Sequence, residues 1–301
     1  MKELIFTSIV HPSKSSETDA LLLVESIRAF AGSLSQAPIW CFVPEYGKQL
    51  SGVAKSRLLE LDATLIPFKI DREASQFPFT CEVSAAALAE ETSLGKISFL
   101  VWMMPNTVMV QEPKDFLLEN GKSIGLRPVH HTLIGSRYGE PVDPFWTLIY
   151  SYCNVPENRI FPMMTHVDGT TIRPYFNAGL LVTRPEKQLL QAWRCTYFAA
   201  YAEPSFQEFY RQDERYKVFI HQAILSGVIL SVLSTNEIQE LPSKYNYPLH
   251  LHAQDVTGQT PSCLEELVTF RHEGFYEDSE WIKKIPAKEE LREWIAKRII
   301  Q

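Results

Sequence analysis

The sequence contains few cysteines, and they are widely spaced. The five thiols stand at positions 41, 81, 153, 195 and 263, and the closest two are 40 residues apart. This spacing excludes a C-x-x-C metal or redox motif, and the odd count argues against a secreted disulfide framework. Each cysteine is therefore expected to be a small buried hydrophobic residue of a protein in a reducing compartment.

Long hydrophobic runs and an excess of basic charge are also missing. The apolar segment 1–10 is broken by His11 and Pro12, so it is too short for a signal sequence or a membrane span. The net charge of −7 disfavours a nucleic-acid partner, because such a partner needs a basic face. The sequence therefore predicts a cytoplasmic protein with no transmembrane segment and no nucleic-acid partner.

Two common nucleotide and metal motifs do not occur. The sequence has no G-x-G-x-x-G and no H-E-x-x-H. Gly121-Lys122-Ser123 is similar to the end of a phosphate-binding loop, but Phe116 stands where that loop requires glycine. Dinucleotide redox chemistry, classical nucleotide hydrolysis and zinc proteolysis are left without support.

The order of apolar segments predicts an α/β fold. Strands are expected at 4–10, 38–43, 64–70 and 97–102, with helices between them at 18–31, 55–61 and 83–91. This alternation favours a mostly parallel, Rossmann-like sheet flanked by helices. In the second half we expect strands at 124–129, 180–183, 237–241 and 267–271, and helices at 186–201, 217–233 and 287–300. Without a Gly- or Ser-rich linker, residues 1–301 are expected to form a single domain.

Ligands of such sheets bind beyond the carboxyl ends of the strands. The loops after Val10, Val43, Ile70 and Trp102 are therefore expected to converge on one site.

Four short stretches occur in an informative order. The strand that ends at Trp102 is followed by Met103-Met104-Pro105-Asn106-Thr107. Next comes Tyr175-Phe176-Asn177-Ala178-Gly179, then His221-Gln222 near the start of a helix. The last stretch is Arg271-His272-Glu273-Gly274, preceded by Leu241-Pro242-Ser243-Lys244-Tyr245.

This order resembles the glycogenin-like and lipopolysaccharide galactosyltransferase-like enzymes of the glycosyltransferase A-type fold, a family 8-like group. In those enzymes a strand runs into D-x-D, a Phe-Asn-Ala-Gly turn follows, an Asp-Gln pair opens a helix, and His-x-Gly comes late. The resemblance implies the nucleotide-diphospho-sugar transferase fold, with a nucleotide-binding half at about 1–110. The remaining residues, about 111–301, form an acceptor-side half that ends in a helix.

The resemblance further implies a hexosyltransferase that uses a nucleotide-diphosphate sugar, most simply a UDP-sugar, and an acceptor that the sequence does not identify. Its catalytic candidates are Asn177, His221 and Gln222. Its nucleotide-sugar-binding candidates are Ser8, Ile9, Val10, Met104, Asn106, Arg127, Ala178, Gly179, Lys244, His272 and Gly274.

Three acidic positions of the family pattern are changed in this chain. Met104 and Asn106 replace the aspartates of D-x-D, and His221 replaces the aspartate of the Asp-Gln pair. A thioether does not bind a hard cation, and a neutral amide is a weaker ligand than carboxylate. Asn106 and His272 are weak metal candidates, so Mn²⁺ or Mg²⁺ is expected to bind weakly or not at all. Fixed cations are expected to neutralise the donor diphosphate instead, with Arg127, Arg137, Arg173 and Lys244 as candidates.

Other interpretations remain open at the level of sequence. Asn177 can be a turn residue that closes on Gly179, and His221 and His272 can be packed, hydrogen-bonded histidines. Loss of the acidic residues also fits a catalytically inactive relative that serves as a binding or scaffolding module. A nucleotidyltransferase is disfavoured because the segment 11–16 lacks glycine.

Overall fold

A seven-stranded sheet forms the centre of the structure, a computed structural model that describes residues 2–45, 47–70, 77–258 and 260–299. The order of its strands is β10-β6-β9-β4-β1-β2-β3, and only β9 runs antiparallel to its neighbours. Two small sheets accompany it, β11-β12-β5 and β7-β8. The strands are β1 (Lys2–Ile9), β2 (Ile39–Pro44), β3 (Ala63–Phe68), β4 (Ile97–Met103), β5 (Thr107–Met109), β6 (Ile124–Pro128), β7 (Met163–Met164), β8 (Thr171–Ile172), β9 (Phe176–Thr183), β10 (Ile238–Glu240), β11 (Tyr247–Pro248) and β12 (Thr269–Arg271).

Helices cover both faces of the central sheet because its strands are apolar on both sides. Ile5 and Ile9 of β1 pack into one cluster of buried side chains, whereas Leu4 and Phe6 pack into another on the opposite face. The helices are α1 (Lys14–Phe30), α2 (Gly52–Glu60), α3 (Thr80–Ser93), α4 (Pro144–Tyr152), α5 (Leu189–Ala202), α6 (Pro204–Gln212), α7 (Glu214–Val232), α8 (Trp281–Lys284) and α9 (Glu289–Ala296).

The predicted α/β class with a mostly parallel sheet is confirmed, and several predicted elements begin or end at other residues. Helix α1 begins at Lys14, four residues before the predicted start, because the Ser13 backbone is already extended and can precede a helix. The C-terminal helix was predicted over 287–300 but spans Glu289–Ala296, while residue 300 lies outside the described residues.

Helices α4 and α6 were not predicted from the sequence. Helix α4 begins with a recognisable signal, since Asp143 accepts a hydrogen bond from the Trp146 N–H at 3.0 Å and Pro144 occupies the first turn.

The predicted Phe-Asn-Ala-Gly turn is instead the first half of β9. All eight residues of this strand are buried. The register of its pairing with β6 shifts between Leu126 and Pro128, and Pro128 pairs with Phe176. A strand with such an irregularity can carry the polar Asn177 at its start and still continue as a buried strand.

A third cluster of buried side chains lies beneath the C-terminal helices. Trp281, Leu291 and Ile295 pack there with Phe270 of β12 and Val108 of β5. Among the helices within the described ranges, none combines the length and the apolar character that crossing a bilayer requires.

Candidate active site

A cavity of about 340 Å³ lies at the edge of the sheet where the parallel strands end. Strands β4 and β6 reach it at their carboxyl ends, and the antiparallel β9 reaches it at its start. This is the location predicted for the ligand of an open α/β sheet. It is lined by Phe79, Glu82, Trp102, Met104, Val129, His130, His131, Leu133, Tyr175, Asn177, Ala178, Gly179, Trp193, Phe219, His221, Gln222, His250, Leu251, Arg271 and Glu273.

Strand β9 and helix α7 bring predicted site residues together through backbone contacts. Oδ1 of Asn177 accepts the Gly179 N–H at 2.8 Å, and Oε1 of Gln222 accepts the Ala178 N–H at 3.1 Å. The Met104 N–H donates to the Gly179 carbonyl at 2.9 Å, which joins the end of β4 to the same point. Both amide side chains thus support the backbone with their oxygens, and their NH₂ groups remain as donors.

His221 is held in place from three sides. Its ring stacks on Phe79 with centroids 4.1 Å apart, and its carbonyl accepts the Trp193 indole N–H at 2.7 Å. Nδ1 lies 2.9 Å from the Val218 carbonyl oxygen, which can only accept, so Nδ1 carries the proton and Nε2 is an acceptor. Burial lowers the pKa of His221 to about 4. His221 is therefore a neutral hydrogen-bonding ring at pH 7.

Glu82 brings a carboxylate to the cavity from the first turn of α3. The Glu82 side chain is 16% exposed, and its Oε1 lies 2.9 Å from Nε2 of His11. His11 stands two residues after the end of β1. The loop after β1 therefore reaches the cavity through this contact. Sequence reasoning missed Glu82, because the helix was predicted over 83–91 and the structure begins it at Thr80.

Arg271 is a second residue that sequence reasoning missed. It ends β12, and its side chain is 16% exposed. Nη1 lies 3.5 Å from Oδ1 of Asn177, Nη2 lies 4.0 Å from Oε1 of Glu273, and the buried Nε has no hydrogen-bond partner among the described residues. Burial lowers the pKa of Arg271, while Glu273 opposes this effect, and a guanidinium remains charged at neutral pH.

Several histidines line the same cavity as this guanidinium. Both ring nitrogens of His130 are buried and have no hydrogen-bond partner within the described ranges. The rings of His166 and His250 stand edge-on to His130 at 6.2 and 6.3 Å between centroids. Burial first, and then the charge of Arg271, lower the pKa of His130 well below its usual range. The histidine at this point is neutral, so Arg271 supplies the positive charge.

Asn106 and His272 lie beside the cavity and are not among its lining residues. Nδ2 of Asn106 donates to the His272 carbonyl at 2.6 Å, and the His272 N–H donates to the Asn106 carbonyl at 3.0 Å. Nδ1 of His272 accepts the Gly274 N–H at 3.2 Å, and burial lowers the pKa of His272 to about 3. His272 instead lines a neighbouring cavity of about 440 Å³ that shares His250 and Glu273 with the first.

The first-strand candidates are buried in the sheet. Ser8 donates from Oγ to the Met103 carbonyl at 2.7 Å, and Ile9 and Val10 have no exposed side-chain surface. None of the three lines the 340 Å³ cavity. A contact with a ligand at these positions would have to come from the backbone.

The basic residues predicted to face a diphosphate lie elsewhere. Arg127 is committed to Glu240, to the Leu241 carbonyl and to His166, with distances of 2.7–3.0 Å. The Arg173 guanidinium donates to Oγ of Ser136 and to the carbonyl oxygens of Arg137 and Glu140. Lys244 and Arg137 are exposed and do not line the cavity.

A serine-hydrolase spacing in the sequence is not a nucleophile site. Gly121-Lys122-Ser123-Ile124-Gly125 has the form G-x-S-x-G, which in hydrolases places serine between a strand and a helix. Here Ser123 precedes β6 and donates from Oγ to Glu237 at 3.1 Å.

The residues at the D-x-D position do not suit a divalent cation. Met104 offers a thioether, the Asn106 amide is bound to a carbonyl, and Nδ1 of His272 already accepts a backbone N–H. Within the described ranges, no group of three His, Cys, Asp or Glu side chains is arranged to hold a metal ion.

Comparison with known proteins identifies the class. Residues 7–232, well over half of the chain, match the Rhodobacterales glycosyltransferase domain family. The chain therefore belongs to this glycosyltransferase family. No curated protein shows significant sequence similarity to the chain.

Solved structures confirm the A-type glycosyltransferase fold and the predicted resemblance to family 8-like enzymes. The bifunctional glycosyltransferase WbbM, in its apo form, aligns with a TM-score of 0.55 at 13% identity. The alignment covers 99% of this chain and 52% of WbbM, so the chain spans about half the length of that protein. The galactosyltransferase LgtC, in complex with donor and acceptor sugar analogs, aligns with a TM-score of 0.53 at 12% identity over 98% of this chain and 95% of LgtC.

Proposed function

We propose that the protein transfers a hexose from a nucleotide-diphosphate sugar, with a UDP-sugar as the first choice, to an acceptor hydroxyl at the 340 Å³ cavity. Family membership gives the reaction class. The observation that carries the proposal is that Asn177, His221 and Gln222, chosen from the sequence as one constellation, line one cavity together. The volume falls within the range of small-molecule sites.

The cavity offers the two kinds of surface that a sugar ring requires. Trp102, Trp193 and Phe219 supply apolar and aromatic walls for the C–H faces of the ring. The NH₂ group of Gln222 and Nε2 of His221 supply a donor and an acceptor for its hydroxyl groups. The supporting contacts of both side chains to the backbone hold these groups in fixed positions.

We assign to Glu82, one of two glutamates among the described residues that line the cavity, the role of accepting the proton of the acceptor hydroxyl. In the transfer, a bond forms between the acceptor oxygen and the anomeric carbon, and the bond from that carbon to the diphosphate oxygen breaks. The electron pair leaves on the nucleoside diphosphate, and Glu82 takes the hydroxyl proton. His11, 2.9 Å from the carboxylate, fixes its orientation.

We further propose that the reaction has weak or no dependence on Mn²⁺ or Mg²⁺. Support comes from the chemistry of Met104 and from the commitment of the Asn106 amide to the His272 carbonyl.

A binding or scaffolding module on the same fold is the second candidate. It is favoured by the hydrogen bonds of the two amide side chains in the cavity. The side-chain oxygen of Asn177 accepts the Gly179 N–H, and that of Gln222 accepts the Ala178 N–H. Such residues can support a fold without taking part in catalysis.

The deciding experiment combines binding with turnover. A panel of UDP-, GDP- and other nucleotide-sugars is added to the protein with Mn²⁺ or with EDTA, and the melting temperature is followed, because a ligand of the native state raises it. Release of nucleoside diphosphate is measured on the ligands that bind. Binding with release supports the transferase, whereas binding without release favours the module. The absence of any nucleotide-sugar ligand would refute the transferase and leave only a scaffolding role.

A further inference from the structure

A buried guanidinium with unused donors stands at the wall of the cavity. Among the described residues that line it, Arg271 is the only one with a permanent positive charge. Its three nitrogens have one hydrogen bond of 3.5 Å, one ion-pair contact of 4.0 Å and no partner at Nε. A guanidinium that is 16% exposed normally has its donors satisfied.

Other buried arginines of the chain show the contrast. Arg127 and Arg173 each make three hydrogen bonds to carbonyl groups or side chains, so their donors are occupied by the fold. Arg271 has donors left over, and they face a cavity. This difference from Arg127 and Arg173 indicates that the unpaired donors of Arg271 bind a ligand.

We propose that Arg271 binds the diphosphate of the sugar donor directly, in the place of a carboxylate-held divalent cation, and that His130 adds an N–H donor to the same anion. This inference rests on the proposed function for the identity of the donor. Guanidinium groups match phosphate oxygens in a two-pronged geometry, and a buried one stabilises the charge that a departing diphosphate gains.

The backbone places Arg271 at this point. Strand β12 pairs antiparallel with β5, and Arg271 is paired with Thr107, directly after the segment that corresponds to D-x-D. The guanidinium therefore reaches the region where the related enzymes hold a cation. Gly179 leaves room for it, since a Cβ there would lie 2.5 Å from Nη1.

The present partners of Arg271 would yield to a phosphate. Glu273 is 59% exposed and 4.0 Å away, and a pair of this kind contributes little. The contact to Asn177 is 3.5 Å long, at the limit for a hydrogen bond. Since both nitrogens of His130 lack a partner among the described residues, its neutral ring can donate one hydrogen bond to an oxyanion.

Isothermal titration calorimetry in EDTA tests the inference with UDP, inorganic pyrophosphate and uridine as probes. We expect wild type to bind UDP and pyrophosphate. Arg271→Gln should weaken both by about 10- to 100-fold and leave uridine unchanged, because charged hydrogen bonds to phosphate are lost. Arg271→Lys should fall between the two, because it keeps the charge without the two-pronged geometry. Arg211→Gln, which removes a positive charge from the exposed surface of α6, is the matched control and should bind all probes like wild type.

The outcomes separate this inference from the proposed function. Nucleotide-sugar binding that is equal in wild type and folded Arg271→Gln would overturn the role of Arg271 and leave the transferase intact. Arg271-dependent binding of pyrophosphate without any nucleotide-sugar binding would support the anion site and refute the transferase. If wild type binds neither pyrophosphate nor UDP in EDTA, the inference is wrong. Should Arg271→Gln not fold, Arg271→Lys gives the comparison with a smaller expected loss, and affinity for pyrophosphate equal to that of wild type would overturn the two-pronged contact.

Discussion

Gly179 and the guanidinium of Arg271 are in direct contact, and the guanidinium fits there only because residue 179 has no side chain. A Cβ on residue 179 would lie 2.5 Å from Nη1 of Arg271 and 2.9 Å from Oδ1 of Asn177. The φ angle of Gly179 is not in the left-handed region, so the glycine is required for space and not for backbone conformation. The glycine of the Phe-Asn-Ala-Gly sequence thus makes room for the side chain of Arg271, which is distant along the chain.

Gly179→Ala is expected to displace Arg271 and to weaken UDP binding about as much as Arg271→Gln does. The methyl group cannot be accommodated without moving the guanidinium or Asn177. Calorimetry on both single variants and on the double variant checks this. The double variant should be no weaker than the worse single variant, because residues in contact are not additive. Unchanged affinity in Gly179→Ala would contradict the proposed contact.

His221→Ala and Gln222→Ala are expected to weaken nucleotide-sugar binding or turnover while leaving UDP binding nearly unchanged. The reason is that both side chains are assigned to the sugar and not to the nucleotide. Competition binding with UDP and a UDP-sugar measures the two effects separately. His252→Ala, at a histidine that does not line the 340 Å³ cavity, is the control. Equal losses for both ligands, or no loss for either, would mean that His221 and Gln222 only support the fold.

Glu82→Gln is expected to lower kcat by roughly 10²–10⁴-fold with little change in donor affinity, since the amide cannot accept the hydroxyl proton. Steady-state release of nucleoside diphosphate, with the donor varied, gives kcat and KM separately. Glu91→Gln changes a glutamate on the same helix that does not line the 340 Å³ cavity, and it should behave like wild type. A kcat of Glu82→Gln near the wild-type value would exclude Glu82 as the proton acceptor.

Asn106→Asp is expected to destabilise the protein by about 1–3 kcal/mol. The substitution removes the hydrogen bond from Nδ2 to the His272 carbonyl and places a carboxylate oxygen against a carbonyl oxygen. Restoration of D-x-D by Met104→Asp with Asn106→Asp is expected to strengthen metal binding if the cavity stays otherwise intact. Urea unfolding with and without Mn²⁺ tests both statements. A variant as stable as wild type without metal would show that the Asn106 contact contributes little.

Glu90 is expected to make stability depend on pH. Its Oε2 accepts the N–H groups of Leu190 and Gln191 at 2.9 Å, while burial raises the pKa of Glu90 to about 7. The pKa of Glu90 in the folded protein is raised above the ordinary value of 4.5. The stabilising contribution of Glu90 is therefore fully present below pH 4.5 and is lost as the pH rises through 7. Between pH 5 and pH 8, the free energy of unfolding of Glu90→Gln should rise by on the order of 2–3 kcal/mol relative to that of wild type. A constant difference between the two proteins across this range would show that Glu90 does not titrate there.

Much of the fold could be predicted because its strands are apolar and its helices periodic. The segments around Ile5, Phe42, Leu100 and Leu126 are strands in the central sheet, as their composition indicates. The smaller elements were missed, because two- and three-residue strands such as β5 and β11 are set by their partners and have no periodicity of their own. Asn177, His221 and Gln222, which were chosen from the sequence, line one cavity together, and their roles remain predictions.

The sequence by itself determined the α/β class and the family resemblance. Both depend on local patterns, namely alternation of strands with helices and the order of short motifs, and such patterns need no knowledge of distant contacts. Only the tertiary structure decided which cation faces the cavity. Arg127, Arg173 and Arg271 are equally basic in the sequence, and they differ in how many donors the folded chain satisfies. That number depends on the pairing of β12 with β5 and on the space left by Gly179, and both join residues that are distant along the chain.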